Sequence, residues 1–234
     1  TGDAGVGHPG FSAGCAFGDL DNDGFVDLFV ANYVELDLAD RPECQQNGIP
    51  AYCRPEDYPA ARDALYRNNG DGTFTDVSDT AGIAHSGRGL GVVWTDLDGD
   101  HLPDIFVAND RMANFYYRNR GDGSFEEVGE MSGLAYNEHG YSESGMGVAA
   151  GDYGGDGAPD LFVTNYQAQT NTLYGNDGGT DFWDVTNRVG LGESSLLTLA
   201  WGAEFADVDN DGDLDLLVVN GHLEPDIEAF EQVG

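Results

Sequence analysis

A nine-residue acidic pattern occurs four times in this chain, beginning at Asp19, Asp96, Asp152 and Asp207. Its consensus is Asp-x-Asp-x-Asp-Gly-x-x-Asp, and two copies depart from it, one with Gly154 at position 3 and one with His101 at position 6. Ca²⁺ takes six to eight oxygens at about 2.3–2.6 Å, so a short loop must direct several carboxylates inward. Glycine at position 6 permits the left-handed turn that wraps such a loop around an ion. Four copies in one sequence context exclude chance, even in an acidic chain.

The pattern predicts a set of calcium ligands in every copy. Positions 1, 3, 5 and 9 supply side-chain oxygens, and position 7 supplies its backbone carbonyl. The predicted ligands are Asp19, Asp21, Asp23, Phe25 and Asp27; Asp96, Asp98, Asp100, Leu102 and Asp104; Asp152, Asp156, Ala158 and Asp160; and Asp207, Asp209, Asp211, Asp213 and Asp215. The copy with Gly154 lacks one carboxylate and predicts weaker binding. His is among the side chains enriched at positive φ, so the loop with His101 is expected to survive with some strain. We therefore expect three to four Ca²⁺ ions.

The residues around each loop exclude an EF-hand, which needs a bidentate Glu at position 12 and flanking helices. Position 12 is Val in all four copies, within runs such as Leu28-Phe-Val-Ala-Asn32. Short β-branched and aromatic runs bounded by Gly, Asp and Asn predict buried strands. A second short apolar run precedes each loop. The unit is therefore a hairpin closed by a metal loop, and the four metal hairpins lie near 14–33, 91–110, 147–166 and 202–221.

A second hairpin motif alternates with the first. It occurs as Leu65-Tyr-Arg-Asn-Asn-Gly-Asp-Gly-Thr-Phe74, again from Tyr116, and in a looser form from Leu173. Asn and Gly between two alternating runs are a strong hairpin signal. Two hairpins make a four-stranded antiparallel sheet, and the chain repeats this sheet.

The spacing of the repeats predicts the fold class. The leading aspartates stand at 19, 96, 152 and 207, in steps of 77, 56 and 55 residues, and self-similarity near fifty residues is typical of propellers or arrays. We expect one all-β domain over 1–234, built of four-stranded antiparallel propeller-type blades with calcium loops. Its longer first step contains an insertion, 35–63. The motifs make about three and a half blades, so either further blades lie outside this sequence or neighbouring copies complete one another.

The two alternating motifs resemble those of FG-GAP/VCBS repeat proteins. Gly89-Leu-Gly91, Met146-Gly147, Asn220-Gly221-His222 and the Cys-containing insertion after Tyr33 resemble the ASPIC/UnbV, or cartilage-acidic-protein-like, branch. The resemblance covers essentially the whole chain. It implies integrin-α-like β-propeller blades, calcium in the loops, and a protein that is secreted or at the cell surface. It implies little about a ligand.

Composition excludes several classes of partner. The chain has 43 acidic and 9 basic residues, for a formal charge of −34. Such a chain should repel nucleic acid and anionic lipid. No stretch approaches the roughly 18 apolar residues of a membrane span, so no membrane insertion is expected.

The three cysteines predict one disulfide. Cys44 and Cys53 lie in the insertion, and an oxidising compartment suits a calcium-rich secreted protein, so we expect them to be bridged. Cys15 lies on a predicted strand, where a small buried hydrophobic residue is expected. Arg120-Gly121-Asp122 matches Asn69-Gly70-Asp71 of the sister hairpin, so it is interpreted as a turn.

Two function classes remain open on the sequence. The first is an extracellular structural or adhesive module that binds proteins, glycans or copies of itself, and this is the one we favour. The second is a calcium-supported polysaccharide-active enzyme of lyase type, or a lectin, on a propeller scaffold. An enzyme of that type needs cationic side chains converging in a cleft. The arginines outside the repeated hairpins are its candidates: Arg41, Arg54, Arg62, Arg88 and Arg111.

Overall fold

The structure, a computed structural model, describes residues 2–39, 42–46 and 48–223. Its main elements are three four-stranded antiparallel sheets and one two-stranded sheet, which we call blades 1 to 4. Blade 1 is Ser12–Gly18, Asp27–Asn32, Ala64–Asn68 and Phe74–Asp76; blade 2 is Gly89–Thr95, Asp104–Asn109, Phe115–Asn119 and Phe125–Glu127; blade 3 is Gly145–Gly151, Asp160–Asn165, Thr172–Asn176 and Phe182–Asp184; blade 4 is Leu199–Ala206 and Asp215–Gly221. In blades 1 to 3 each strand pairs with the next strand of the same blade, and in blade 1 the insertion lies between the second and third strands. The predicted all-β, blade-type fold is confirmed.

The second strands of blades 2 and 3 are buried on both faces, whereas Leu28 and Val30 on one face of the second strand of blade 1 are only partly buried. Ile105 and Phe106 are neighbours in blade 2, and both are fully buried. Successive side chains of a strand point to opposite faces, so these two residues enter different cores. Burial on both faces explains why the sequence shows an uninterrupted apolar run here instead of alternation.

The hydrophobic cores lie between successive blades. Phe29 of blade 1 shares a core with Val107 of blade 2, and Phe106 shares the next core with Leu161 of blade 3. The third core joins Phe162 of blade 3 to partly buried side chains of blade 4. The first strands of the four blades also lie side by side. Every blade therefore depends on its neighbours for burial, as expected for a repeat array.

Glycines set the close approach of the first strands. A Cβ added to Gly14 would lie 2.3 Å from the Leu90 carbonyl oxygen of the next blade. The corresponding distances are 2.8 Å from Gly91 to the Met146 oxygen and 2.1 Å from Gly147 to the Trp201 oxygen. No side chain fits at these separations, so the repeated glycine of the first strand is a packing requirement.

The insertion forms a small subdomain braced against blade 2. It contains the short hairpin Cys44–Gln46 and Ile49–Ala51, the 3₁₀ turn Pro55–Asp57, and strand Ala61–Arg62, which pairs with Ser86–Gly87. Cys44 and Cys53 form the expected disulfide. Two short helical turns, Gly129–Ser132 and Gly192–Ser195, precede blades 3 and 4. Within the described residues, no helix combines the length and the hydrophobicity needed to cross a membrane.

The expectation for Cys15 is wrong. Its thiol is free and exposed instead of buried. The equivalent residues of blades 2 and 3, Val92 and Val148, pack on the cores shared with the preceding blade. Blade 1 has no preceding blade among the described residues, so the same face of its first strand is open.

Candidate metal centres

The four acidic loops join the first and second strands of each blade. We number them loop 1 (19–27), loop 2 (96–104), loop 3 (152–160) and loop 4 (207–215). In loop 1, Asp19 Oδ1 accepts the backbone N–H of Asp23 at 3.1 Å, and its Oδ2 accepts that of Gly24 at 2.9 Å. Asp152 and Asp207 accept the equivalent pair of backbone N–H bonds in loops 3 and 4. In loop 2, Asp96 accepts the N–H of His101 at position 6 and that of Gly99 at position 4. The position-1 carboxylate therefore helps to close the turn.

Left-handed backbone at positions 4 and 6 completes each turn. Position 6 has φ of 89° at Gly24, 71° at His101, 92° at Gly157 and 99° at Gly212. His101, although not a glycine, adopts the same left-handed conformation as its glycine counterparts, a conformation in which His is more common than most side chains.

The aspartate at position 9 ties the loop to the rest of its blade. Asp104 Oδ2 accepts the N–H of Leu97 at 3.1 Å, and its Oδ1 accepts the N–H of Asn119 in the third strand at 2.8 Å. Asp27 and Asp160 make the same two bonds in blades 1 and 3. All three carboxylates are buried. In blade 4, Asp215 accepts the N–H of Val208 at 3.1 Å, but it is exposed, as blade 4 has no third strand within the described residues.

Three of the four loops bring carboxylates together. The aspartates at positions 1, 3 and 9 place one oxygen each within 4.8 Å of one another in loops 1, 2 and 4. Those groups are Asp19, Asp21 and Asp27; Asp96, Asp98 and Asp104; and Asp207, Asp209 and Asp215. Loop 3, with Gly154 at position 3, forms no such group in the described part of the chain. The position-5 aspartates stand outside these groups and accept the N–H of position 7.

The side chain at position 7 packs against the second hairpin of the same blade. A Cβ added to Gly70 would lie 2.9 Å from the Phe25 ring, and one added to Gly121 would lie 3.0 Å from a Leu102 methyl carbon. This packing anchors the residue whose backbone carbonyl is the predicted fifth ligand.

The electrostatics of the loops favour a bound cation. Burial raises the pKa of Asp104 to about 7, and the neighbouring Asp98 carboxylate adds to the shift. Burial also raises the pKa of Asp27, with further contributions from Asp21 and Asp23. Carboxylates close together in a desolvated site are unfavourable when all are ionised. A divalent cation among them relieves that repulsion.

Loop 1 also contains an orphaned oxygen. Asp21 Oδ2 pairs with Arg67 Nη2 at 2.6 Å, whereas the buried Asp21 Oδ1 has no hydrogen-bond partner among the described residues. Arg67 also contacts Asp23 Oδ2 at 3.2 Å. In blade 2 the equivalent Arg118 pairs with Glu126 instead, and blade 3 has Gly175 there. A buried carboxylate oxygen needs a donor or a cation, so the residues of loop 1 fit a calcium ion.

Residues that the motif analysis did not single out connect the loops of successive blades. The side-chain amide of Asn176 in blade 3 donates to the Leu97 carbonyl of loop 2 at 2.7 Å. Asn119 of blade 2 makes the same bond to the Leu20 carbonyl of loop 1 at 3.2 Å. The signal available in the sequence was the Asn that follows the Tyr-Arg or Tyr-Gly pair in each hairpin.

The arginines considered for an enzyme site lie at the ends of the blades opposite the acidic loops. Arg62 Nε donates to the Ile83 carbonyl at 2.7 Å and pairs with Asp79, Arg88 Nε donates to the Pro55 carbonyl at 3.1 Å, and Arg111 pairs with Glu56 at 2.6 Å. Arg54 begins the short 3₁₀ turn, and Arg41 lies outside the described residues. The contacts of Arg88 and Arg111 brace the insertion against blade 2.

Comparisons with known proteins agree with this architecture. The profile of the FG-GAP-like repeat family matches residues 56–107, 96–163 and 155–218. Human cartilage acidic protein 1 is 30% identical over 148 residues, which cover 62% of this chain and 21% of the human protein. The mouse protein of that name is 26% identical over 214 residues, covering 90% of this chain and 29% of the relative. This chain thus spans less than a third of these relatives' length.

One solved structure matches this chain weakly. It is described as the structural basis of specific recognition of non-reducing terminal N-acetylglucosamine by an Agrocybe aegerita lectin, at 18% identity and a TM-score of 0.48. The match covers 92% of this chain and 48% of the lectin chain. The three profile matches together extend over well more than half of the chain. This chain belongs to the FG-GAP-like repeat family.

Proposed function

We propose that this chain is a calcium-binding structural module of an extracellular protein, in which bound ions fasten the hairpins of each blade together. The observation that carries the proposal is the convergence of the carboxylates at positions 1, 3 and 9 in loops 1, 2 and 4. Hydrogen bonds within the turns explain the loop shape, but they do not explain three acidic groups gathered around one point. The proposed ligands remain those predicted from the sequence, with loop 3 the weakest site.

Calcium at these loops would act on blade stability. The position-9 aspartate joins the loop to the third strand, and the Asn176–Leu97 and Asn119–Leu20 bonds join it to the next blade. Binding only to the folded state stabilises it by RT ln(1 + [L]/Kd), about 2.7 kcal/mol per site at a hundredfold excess. Three or four such sites would rival the roughly 5–15 kcal/mol stability of a typical domain.

The proposed role is structural and adhesive, and the proposed ligands are extracellular proteins or glycans. The disulfide supports an oxidising, extracellular location. The engagement of Arg62, Arg88 and Arg111 in contacts within the fold argues against a cationic substrate cleft of the kind a polysaccharide lyase needs. We therefore favour a binding module over an enzyme.

Isothermal titration with CaCl₂, paired with thermal unfolding in calcium and in chelator, tests the proposal. We expect three to four sites and a markedly lower melting temperature in chelator. The triple variant Asp21→Asn, Asp98→Asn, Asp209→Asn should lose the three strong sites. Its control carries the same charge change outside the loops, at the exposed Asp3, Asp177 and Asp181. Equal melting temperatures of the wild type in calcium and in chelator would refute the proposal.

A further inference from the structure

The tip of the outer hairpin of blade 1, between strands Ala64–Asn68 and Phe74–Asp76, carries the pair Asn69–Gly70. Blades 2 and 3 have Arg120–Gly121 and Asp177–Gly178 in the same place. Asn69 is exposed, and so is the equivalent tip of blade 2, which packs against a four-stranded blade on each side. Exposure of this tip is therefore a property of the hairpin itself and does not depend on a neighbouring blade.

Asparagine followed by glycine is a chemically labile pair. The backbone nitrogen of the glycine attacks the asparagine Cγ, so that a new N–Cγ bond forms, the Cγ–Nδ2 bond breaks, and Nδ2 leaves as ammonia with the proton of the attacking N–H. Water then opens the resulting cyclic imide. Opening at Cγ gives aspartate, and opening at the main-chain carbonyl gives isoaspartate. Glycine favours the reaction because it has no side chain to obstruct ring closure.

Three hydrogen bonds oppose this reaction in the folded hairpin. Asn69 Nδ2 donates to Thr73 Oγ1 at 2.9 Å, and Asn69 Oδ1 accepts from Thr75 Oγ1 at 3.0 Å. Both ends of the side-chain amide are thus held, so the amide does not turn freely toward the backbone. The N–H of Gly70, whose nitrogen is the nucleophile of the reaction, donates to Asn68 Oδ1 at 2.9 Å. That nitrogen therefore keeps its proton and faces a different side chain.

The two threonine bonds are specific to blade 1. The bond from the turn glycine to the preceding Asn recurs in blades 2 and 3, so it belongs to the turn itself. In contrast, blade 2 has Ser124 in place of Thr73 and Glu126 in place of Thr75, and Glu126 pairs with arginines of its own blade. Asn69 thus receives two additional contacts exactly where the labile pair occurs.

We propose that Asn69 is a site of spontaneous deamidation, which Thr73 and Thr75 keep unreactive while the outer hairpin of blade 1 is folded. Opening of the hairpin releases the side-chain amide and the Gly70 N–H together, and the reaction then leaves a permanent carboxylate at position 69. Isoaspartate also lengthens the backbone by one carbon where Gly70 lies against the ring of Phe25 in loop 1, so the turn would lose that contact. The reaction needs no bound ion and goes beyond the proposed function.

Peptide mass mapping after incubation at mildly alkaline pH measures the reaction, because replacing the amide NH₂ by OH raises the mass of the peptide that contains residue 69. Incubation in heavy-oxygen water marks only the events that occur during the experiment. The wild type should convert slowly when folded and many times faster in urea. Thr75→Val removes one of the two threonine bonds and suits a strand, so its folded form should convert on the order of fivefold faster, the effect of one hydrogen bond.

Thr80→Val is the matched control, because Thr80 is also exposed and its hydroxyl donates to the Val77 carbonyl instead of contacting Asn69. It should convert at the wild-type rate. The pair Asn220–Gly221 is an internal reference, whose rate should be the same in Thr75→Val and in the wild type. A rise at both sites would mean general unfolding and would overturn the proposal. Equal rates in the folded and the urea-unfolded wild type, or in the two threonine variants, would overturn it as well.

Discussion

The backbone N–H of Asn32 donates to Asp63 Oδ1 at 2.8 Å, the bond that Asn109 makes to Asn114 in blade 2 and Asn165 makes to Asn171 in blade 3. Asp63 thus stands where the other blades carry an amide. The Asn114 amide donates to the Leu134 carbonyl at 3.2 Å, whereas the buried Asp63 Oδ2 has no partner in the described chain. Burial raises the pKa of Asp63 to about 7, against the opposing effect of the Asn32 bond.

Asp63→Asn should therefore change the pH dependence of stability. The folded state keeps a proton that the unfolded state loses above an ordinary carboxyl pKa near 3.8. The free energy of unfolding of the wild type thus falls as pH rises from about 4 to about 7, by at most about 1.4 kcal/mol per unit from this group, and levels off above. Urea unfolding across this range should show that the free energy of unfolding of the variant rises relative to that of the wild type as pH rises. A constant difference between the two proteins would contradict the assignment.

The reciprocal exchange Asn114→Asp serves as the control for that experiment. It places a carboxylate in the same buried position of blade 2, where the amide now donates to Leu134. It should introduce a second loss of stability over the same pH range. Blades 1 and 2 would then each contribute a buried carboxyl group to the pH dependence of stability.

His101→Gly should stabilise the protein. His101 has φ of 71°, and its side chain is almost fully exposed, 3.7 Å from Asp96 Oδ2. Removing left-handed strain gains about 1–2 kcal/mol, partly offset by the greater freedom of glycine in the unfolded chain, so we expect a net gain of roughly 0.5–1 kcal/mol. Thermal unfolding measures it. His139→Gly, at an exposed position without positive φ, should be neutral or destabilising.

Gly154→Asp should convert loop 3 into a complete calcium loop. A Cβ at Gly154 would lie 3.9 Å from the Asp156 carboxyl group, an ordinary contact, and φ is not left-handed there. The added carboxylate should tighten calcium binding at loop 3 on the order of tenfold, since ligand charge sets affinity in such loops. NMR titration with calcium, following the Gly157 amide for loop 3 and the Gly212 amide for loop 4, measures the change. Gly154→Ala should leave the Gly157 titration unaltered.

Asn176→Asp should weaken the contact between blades 2 and 3. The substitution keeps Oδ1 as the acceptor for Gly178 and Gly179 but removes the donor to the buried Leu97 carbonyl. Leaving a buried carbonyl without its donor costs about 1–3 kcal/mol, and the new carboxyl group is itself buried close to Asp160, which adds to the loss. Denaturant unfolding in chelator isolates this effect from calcium. Asn68→Asp is the control, because the Asn68 amide donates to Val26 within its own blade, and a loss as large as that of Asn176→Asp would argue against an inter-blade role.

The sequence by itself determined the repeat, the hairpins and the loops that carry the acidic residues. Asp-x-Asp-x-Asp-Gly and Asn-Gly-Asp-Gly act through bonds within a few residues, such as Gly24 N–H to Asp19 and Thr73 N–H to Asp71. Turn chemistry of this range does not depend on the rest of the fold. The family followed from the same motifs.

Only the tertiary structure decided how those parts act on one another. The second role of Asp104, as an acceptor for Asn119, and the bond from Asn119 to Leu20 depend on residues far apart in the chain. Whether Arg88 is free and whether Cys15 is buried depend on which surface lies opposite each residue. A repeat pattern specifies the face that a strand presents, but the burial of that face is set by the neighbouring blade.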